Sequence, residues 1–210
     1  MDEVQTLIMG AARLGVALAA PQAQQMLTLL DELERWGRSY NLTSISARRD
    51  LITHHLLDSL AVAPWLTGVR TIDVGTGAGF PGLPLAIVKP AHAFTLLDSN
   101  GKKVRFVAHA ARVLDLANVT PVHARAESYE PPAPGFDCVV ARAFAPLPQL
   151  IEQVAGLCAP HTRVLALKGR RLAEERSGLP SGWRIEADQT LEIPGLPEER
   201  HLVVLRPPVS

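Results

Sequence analysis

The chain has 210 residues and balances 21 Lys plus Arg against 21 Asp plus Glu, so no overall field draws it to nucleic acid and any polyanion contact must come from clustered residues. Its apolar share of 47% and charged share of 20% are those of a globular protein large enough to bury a core without staples. Cys138 and Cys158 lack CxxC spacing and read as small buried hydrophobes, no apolar run reaches membrane-spanning length, and the start Met1–Asp2–Glu3 lacks a secretion signal's basic opening, so a cytoplasmic protein is expected.

Leu7, Ile8, Ala11, Leu14 and Leu18 recur at helical spacing and predict an opening helix. Pro21 starts a second, with Met26, Leu27, Leu30, Leu33 and Trp36 on its apolar face and Gly37 near its end. Asn41–Leu42–Thr43–Ser44 is polar and turn-like. A third helix is expected from about Asp50 to Ala63, stopped by Pro64. From Arg70 the pattern changes. Strands are expected at Thr71 to Val74, Ala93 to Leu97, Val119 to Val122, Phe136 to Val140 and Arg163 to Leu167. They alternate with helices at Pro81 to Val88, Lys102 to Leu116 and Leu147 to Leu157. Two closing strands, Trp183 to Ile193 and His201 to Leu205, lack a long helix between them and read as an antiparallel closure. The alternation implies an α/β fold: a mostly parallel seven-stranded sheet, its last strand antiparallel, with helices on both faces. The expected division is a helical region at 1–66 and a ligand-binding domain at 67–210.

The sharpest local signal is Asp73–Val74–Gly75–Thr76–Gly77–Ala78–Gly79. An acid ends the first strand and glycines alternate in the turn after it. Glycine permits positive φ and leaves room for a ligand against the main chain. In an open α/β sheet the ligand crevice lies outside the carboxyl ends of the strands. Asp98, ending the second strand, suits the two hydroxyls of a ribose. A nicotinamide dinucleotide is the rival ligand, because Gly77 to Gly82 fits G-x-G-x-x-G. That match starts two residues late, and Pro81 and Pro84 fill the helix start where amides should meet a pyrophosphate. A cofactor without phosphate has no need of those amides. His54, His55 and Asp58 lack metal-ligand spacing, and no metal is expected.

The run from Asp73 through Phe80–Pro81–Gly82–Leu83–Pro84 to Ile87 resembles the bacterial small-subunit (16S) ribosomal RNA guanine-N7 methyltransferases, the glucose-inhibited division protein B family. Further similar pieces are Asn41–Leu42–Thr43, His55–Leu56–Leu57–Asp58–Ser59, Leu97–Asp98–Ser99, Arg142–Ala143–Phe144–Ala145, Leu167–Lys168–Gly169 and Arg200–His201–Leu202. The resemblance implies a class I S-adenosylmethionine-dependent methyltransferase (Rossmann-like) fold. It implies S-adenosylmethionine as methyl donor and N7 of one guanine in the 530 loop of small-subunit ribosomal RNA as acceptor. It also implies that Gly75 and Phe80 line the cofactor, that Ala126–Glu127 flank its adenine, and that Arg142 approaches the cofactor or the base.

Guanine N7 has a lone pair and no proton, so its methylation needs positioning and electrostatics rather than a general base. The stretch Ala141–Arg142–Ala143–Phe144 agrees, lacking both the Asn/Asp-Pro-Pro-aromatic run of amine methylation and a Pro-Cys nucleophile. Arg142 can donate to guanine O6, and Phe144 is either a base-stacking ring or a core aromatic. The cofactor-side residues expected are Asp73, Gly75, Gly77, Gly79, Phe80, Asp98, Ala126, Glu127 and Arg142. Those expected on the substrate side are Asn41, His55, Asp58, Phe144, Lys168, Arg170, Arg200 and His201. Lys168, Arg170 and Arg171 read as phosphate contacts or a solvated helix start; Lys102, Lys103 and Arg105 read as a solvated helix face. The rival acceptors are a small molecule or a protein, and the expected partner is the ribosomal subunit or its RNA, met by a monomer with no membrane or DNA involved.

Overall fold

In the computed structural model, which describes residues 2–142, 145–169 and 178–208, a helical start precedes alternating strands and helices. Asp2 caps α1 (Glu3–Arg13) by accepting from the Gln5 amide at 2.7 Å. α2 (Ala20–Tyr40) has Pro21 in its first turn and closes on Asn41, whose left-handed backbone (φ 50°, ψ 50°) brings its amide to the Gly37 carbonyl. The third helix starts earlier and is wound differently than its periodicity predicts. It opens as α3 (Arg48–Leu51), widens into a π-helical stretch at Ile52–Leu57 and returns to α geometry as α4 (Asp58–Leu60). In the wide stretch the Asp58 amide reaches back five residues to the Thr53 carbonyl. The His54 carbonyl, which that amide passes over, accepts from the Arg142 guanidinium at 2.9 Å.

The strands β1 (Arg70–Val74), β2 (Ala93–Asp98), β3 (Val119–His123), β4 (Phe136–Arg142), β5 (Cys158–Lys168), β6 (Arg184–Leu191) and β7 (Arg200–Arg206) form one seven-stranded sheet, ordered β3-β2-β1-β4-β5-β7-β6. β1 to β5 pair in parallel, and β7 runs antiparallel to both β5 and β6. The strand order reverses at β1, with β2 on one side and β4 on the other. The crevice outside the carboxyl ends of β1 and β4 is therefore the place where such a sheet takes a ligand.

Side chains alternate between the two faces of the sheet. One face, with Leu96, Val140, Leu165 and Val204, packs under α1, α2, α5 (Gly82–Val88), α6 (Gly101–Val113) and the π-helical stretch. The other, with Ile72, Val74, Val139 and Ala166, packs under α7 (Leu147–Val154). Burying each Leu, Ile or Val fully stabilises by about 1.5–3 kcal/mol before chain entropy is counted. α5 tolerates Pro84 because it is the third helical residue, where an amide has no partner within the helix. α7 ends sooner than expected, passing into a 3₁₀ turn at Ala155–Leu157, and β5 begins at Cys158 instead of Arg163.

Candidate active site

The turn after β1 is held from beneath by Asp73. Its Oδ2 accepts from the Thr76 hydroxyl at 2.6 Å and from the Gly82 amide at 2.8 Å. Asp73 is buried and does not reach the cleft lining, so it ties the turn to the start of α5. Burial pushes its carboxyl up to about 6, against the pull of the Thr76 and Gly82 bonds. Gly75, Gly77 and Gly79 all have positive φ, at 68°, 62° and 86°. A Cβ on Gly79 would lie 2.3 Å from Leu83 Cδ1, so that position needs glycine for space as well as for backbone.

Two clefts open at the carboxyl edge of the sheet. The first, of about 370 Å³, is lined by Gly75, Asp98, Ala126, Glu127, Arg142 and, among others, Lys103. The Asp98 carboxylate accepts from the Gly77 amide at 2.9 Å and the Asn100 amide at 2.8 Å. Each carboxylate oxygen has a further lone pair, so donors in the cleft can still be accepted. The second cleft, of about 460 Å³, is lined by His55, Asp58, Phe80, Lys168 and Arg200, together with Leu42 and Ile45. Gly75 and Arg142 line both clefts and mark where they meet.

Arg142 is fixed by three elements. Its Nη1 donates to the His54 carbonyl and, at 3.1 Å, to Asp58 Oδ2, and its guanidinium lies 5.8 Å over the Phe80 ring. Asp58 is buried, and its other oxygen accepts from Arg200 Nε at 3.2 Å. One carboxylate on the third helix thus ties together two guanidiniums, from β4 and β7. His55 stacks on Phe80 with ring centroids 4.6 Å apart and shares a 2.9 Å hydrogen bond with the Thr43 hydroxyl. Burial, then the charges of Arg142 and His54, hold its imidazole down at about 3, so it is neutral near pH 7. Lys168 donates to the Ala145 carbonyl.

A family described as rRNA small subunit methyltransferase G matches residues 22–203. The chain belongs to this family. The methyltransferase is 45% identical over 193 residues to the ribosomal RNA small subunit methyltransferase G of Escherichia fergusonii, covering 92% of this chain and 93% of the relative. It is 47% identical over 198 residues to the protein of the same name from Methylococcus capsulatus, covering 94% and 96%. In fold it is similar to an S-adenosylmethionine-dependent methyltransferase of Aquifex aeolicus, with a TM-score of 0.58 at 16% identity over 79% of this chain and 97% of that one. The protein is an S-adenosylmethionine-dependent methyltransferase, and the first cleft fits that donor. Gly75 lies on its lining, and the Asp98 carboxylate there keeps lone pairs free to accept from hydroxyl donors.

Of the expected residues, Gly75, Asp98, Ala126, Glu127 and Arg142 meet in the first cleft, and His55, Asp58, Gly77, Phe80, Lys168, Arg142 and Arg200 meet in the second. Gly79 and Asp73 shape the turn without lining either. Asn41 serves as the left-handed cap of α2, while its neighbours Leu42 and Thr43 face the methyltransferase's second cleft and His55 respectively. His201 places Nδ1 3.8 Å from the Asp188 carboxylate on β6 and stays out of the cleft lining. Phe144, Arg170 and Arg171 fall outside the described residues. Sequence reading missed Lys103 and Gln153 on the first cleft, and Thr43 as the partner of His55. The motif Asn41–Leu42–Thr43 carried the signal for Thr43, whose hydroxyl suits an imidazole partner.

Proposed function

We propose that the methyltransferase modifies N7 of one guanine in the 530 loop of small-subunit ribosomal RNA, acting in the cytoplasm as a monomer without contact to membrane or DNA. No helix among the described residues is long and apolar enough to cross a membrane. The observation that carries the reading is Arg142 at the junction of the two clefts, anchored by Asp58 and the His54 carbonyl.

When bound, S-adenosylmethionine supplies an electrophilic methyl group, whose bond to sulfur breaks as the bond to N7 forms, with no proton released. Asp98 would hold the sugar of the donor, and the glycine turn, with its positive φ angles, would let the donor lie against the backbone. Arg142 carries five N–H groups, and among the described residues its hydrogen bonds use only Nη1, which leaves Nε and Nη2 as donors for guanine O6. The His55 imidazole, held down at about 3, is too weak a base to take a proton near neutral pH. Both oxygens of the Asp58 carboxylate are engaged by guanidiniums, Arg142 and Arg200. Positioning is then the main task of the site, which suits N7. Arg200 and Lys168, lining the second cleft, supply positive charge for the phosphates of the target strand.

The test is transfer of labelled methyl to small subunits from cells lacking this protein, followed by mapping. One methyl group per subunit at a guanine N7 in the 530 loop is the expected result. A methyl on an exocyclic amine would overturn the base-free mechanism, and transfer only to protein or small molecules would overturn the RNA reading.

A further inference from the structure

Outside both clefts, the methyltransferase carries a ladder of aromatic rings that climbs from core to solvent. Phe106 on α6 is fully buried, and Trp36 on α2 meets it edge-on at 5.7 Å. Tyr40, on the last turn of α2, stacks on Trp36 at 5.3 Å with an interplanar angle of 29°, and 37% of it is exposed. The ladder has a direction. Gln25 bonds to the Leu114 carbonyl, Glu32 meets His109 at 2.7 Å, and Trp36 meets Phe106, so α2 and α6 run antiparallel. Continuing that register at 1.5 Å per residue puts Tyr40 level with the first turn of α6. This is the end that follows β2 and Asp98, and Leu42, two residues past Tyr40, lines the second cleft.

Beside the ladder runs positive charge. Lys102, Arg105 and Arg112 are exposed on α6 at helical spacing, with His109 on the same stripe turned toward α2. Arg35 on α2 is exposed as well, with side-chain accessibility of 72%. The carboxylate set into this face, Glu32, is buried and engaged by Arg35 and His109, so it neutralises about one of these cations. Asp31 and Glu34 bind Arg48.

An exposed ring stacked on another ring, flanked by a row of cations, has the chemistry of a surface for single-stranded nucleic acid. A base stacks on the ring and phosphates follow the cations. We propose that the α2–α6 face, from Arg112 to Tyr40, is a docking track for the RNA strand leading to the target guanine, with a base stacking on Tyr40 before the chain turns into the second cleft. The proposal rests on the RNA reading of the acceptor and adds a contact surface to it.

The test uses the full-length protein and small subunits from cells lacking it, with two variants, Tyr40→Ala and the triple change Lys102→Gln, Arg105→Gln and Arg112→Gln. Calorimetric affinity for S-adenosylmethionine is to stay at the wild-type value in both, since none of these side chains lines the donor cleft. Tyr40→Ala is expected to raise KM for subunits by about fivefold or more with kcat within about twofold, and Tyr40→Phe to restore it. The triple variant is expected to reduce the slope of log(kcat/KM) against log salt by about 2, as three lost phosphate contacts predict. Wild-type KM and salt slope in both variants, with donor affinity intact, would overturn the track. So would a photo-crosslinker at position 105 that labels ribosomal protein instead of RNA. If the wild-type protein binds the donor but methylates no subunit, the acceptor reading itself fails, which is a separate outcome.

Discussion

Burial shifts the titration of two ionisable side chains in the site, Asp73 upward and His55 downward, and they act on stability with opposite signs. Asp73, raised to about 6, keeps a proton in the folded protein that the unfolded chain gives up at its ordinary value of 3.8. Its contribution is fully present below that value and is lost as pH rises through 6. His55, lowered to about 3, stays neutral in the folded protein while the unfolded chain takes up a proton below 6.5. Its contribution is present above 6.5 and is lost as pH falls toward 3. Between about pH 4.5 and 6 both windows are open, and slopes of about 1.4 kcal/mol per pH unit oppose one another. His55→Phe keeps an aromatic ring over Phe80 and removes one of the two. Relative to wild type, its unfolding free energy is expected to fall with rising pH across that window by about 1 kcal/mol per unit, read by urea denaturation at several pH values. Parallel curves for the two proteins would show that His55 titrates normally in the folded chain.

At the scale of elements, the parallel strands and the glycine turn were legible because burial on both faces writes continuous apolar runs, and a turn needing positive φ writes glycines. The winding of the third helix was not. Leu51, Ile52, Leu56, Leu57 and Leu60 satisfy a helical stripe whether the turn between them holds one residue more or fewer. The π-helical stretch therefore left no trace in periodicity, although it offers the His54 carbonyl to Arg142. Such wide turns occur often at functional sites. The start of β5 was hidden in the same way, by Pro160 and His161 inside a strand whose first half is partly exposed. The site residues were legible where a strand end carries them, as with Asp98 and Arg142. They were not legible where folding brings a distant loop, as with Thr43 beside His55. Within the turn the glycines are unequal. Gly79→Ala adds a Cβ 2.3 Å from Leu83 at φ 86°, whereas at Gly77 the nearest atom is the Gly75 carbonyl oxygen at 4.0 Å. Gly79→Ala is expected to lose about 1–3 kcal/mol more stability than Gly77→Ala in thermal or urea unfolding, since both meet the backbone penalty and only the first meets a collision. Equal losses would remove the steric account of Gly79.

For the whole molecule, the question is whether the helical start at 1–66 is a separate folding unit or the cover of one face of the sheet. Its buried side chains lie in the same cluster as those of the strands. Leu7, Met26 and Leu30 are continuous with Leu57 and Leu60, and these with Leu83, Leu96 and Val140. α1 sits so close to the π-helical stretch that a Cβ on Gly10 would come within 2.7 Å of Leu57 Cδ2. The third helix that α1 covers is the one carrying His55 and Asp58 to the second cleft. We infer that the two regions unfold together. Leu7 lies far along the chain from the donor turn and is fully buried. Leu7→Ala is expected to cost about 2–5 kcal/mol, the usual range for a leucine removed from a packed core. For a chain of this size that lowers the melting temperature by roughly 5–15 °C. The decisive reading is the number of transitions, not their position. One cooperative unit gives a single calorimetric peak in wild type and variant, and saturating S-adenosylmethionine moves that peak upward in both, because a ligand of the folded state stabilises everything that melts with its site. Two independent regions would give a low-temperature peak shifted by Leu7→Ala and a second peak shifted by the donor alone, which would make 1–66 a domain in its own right.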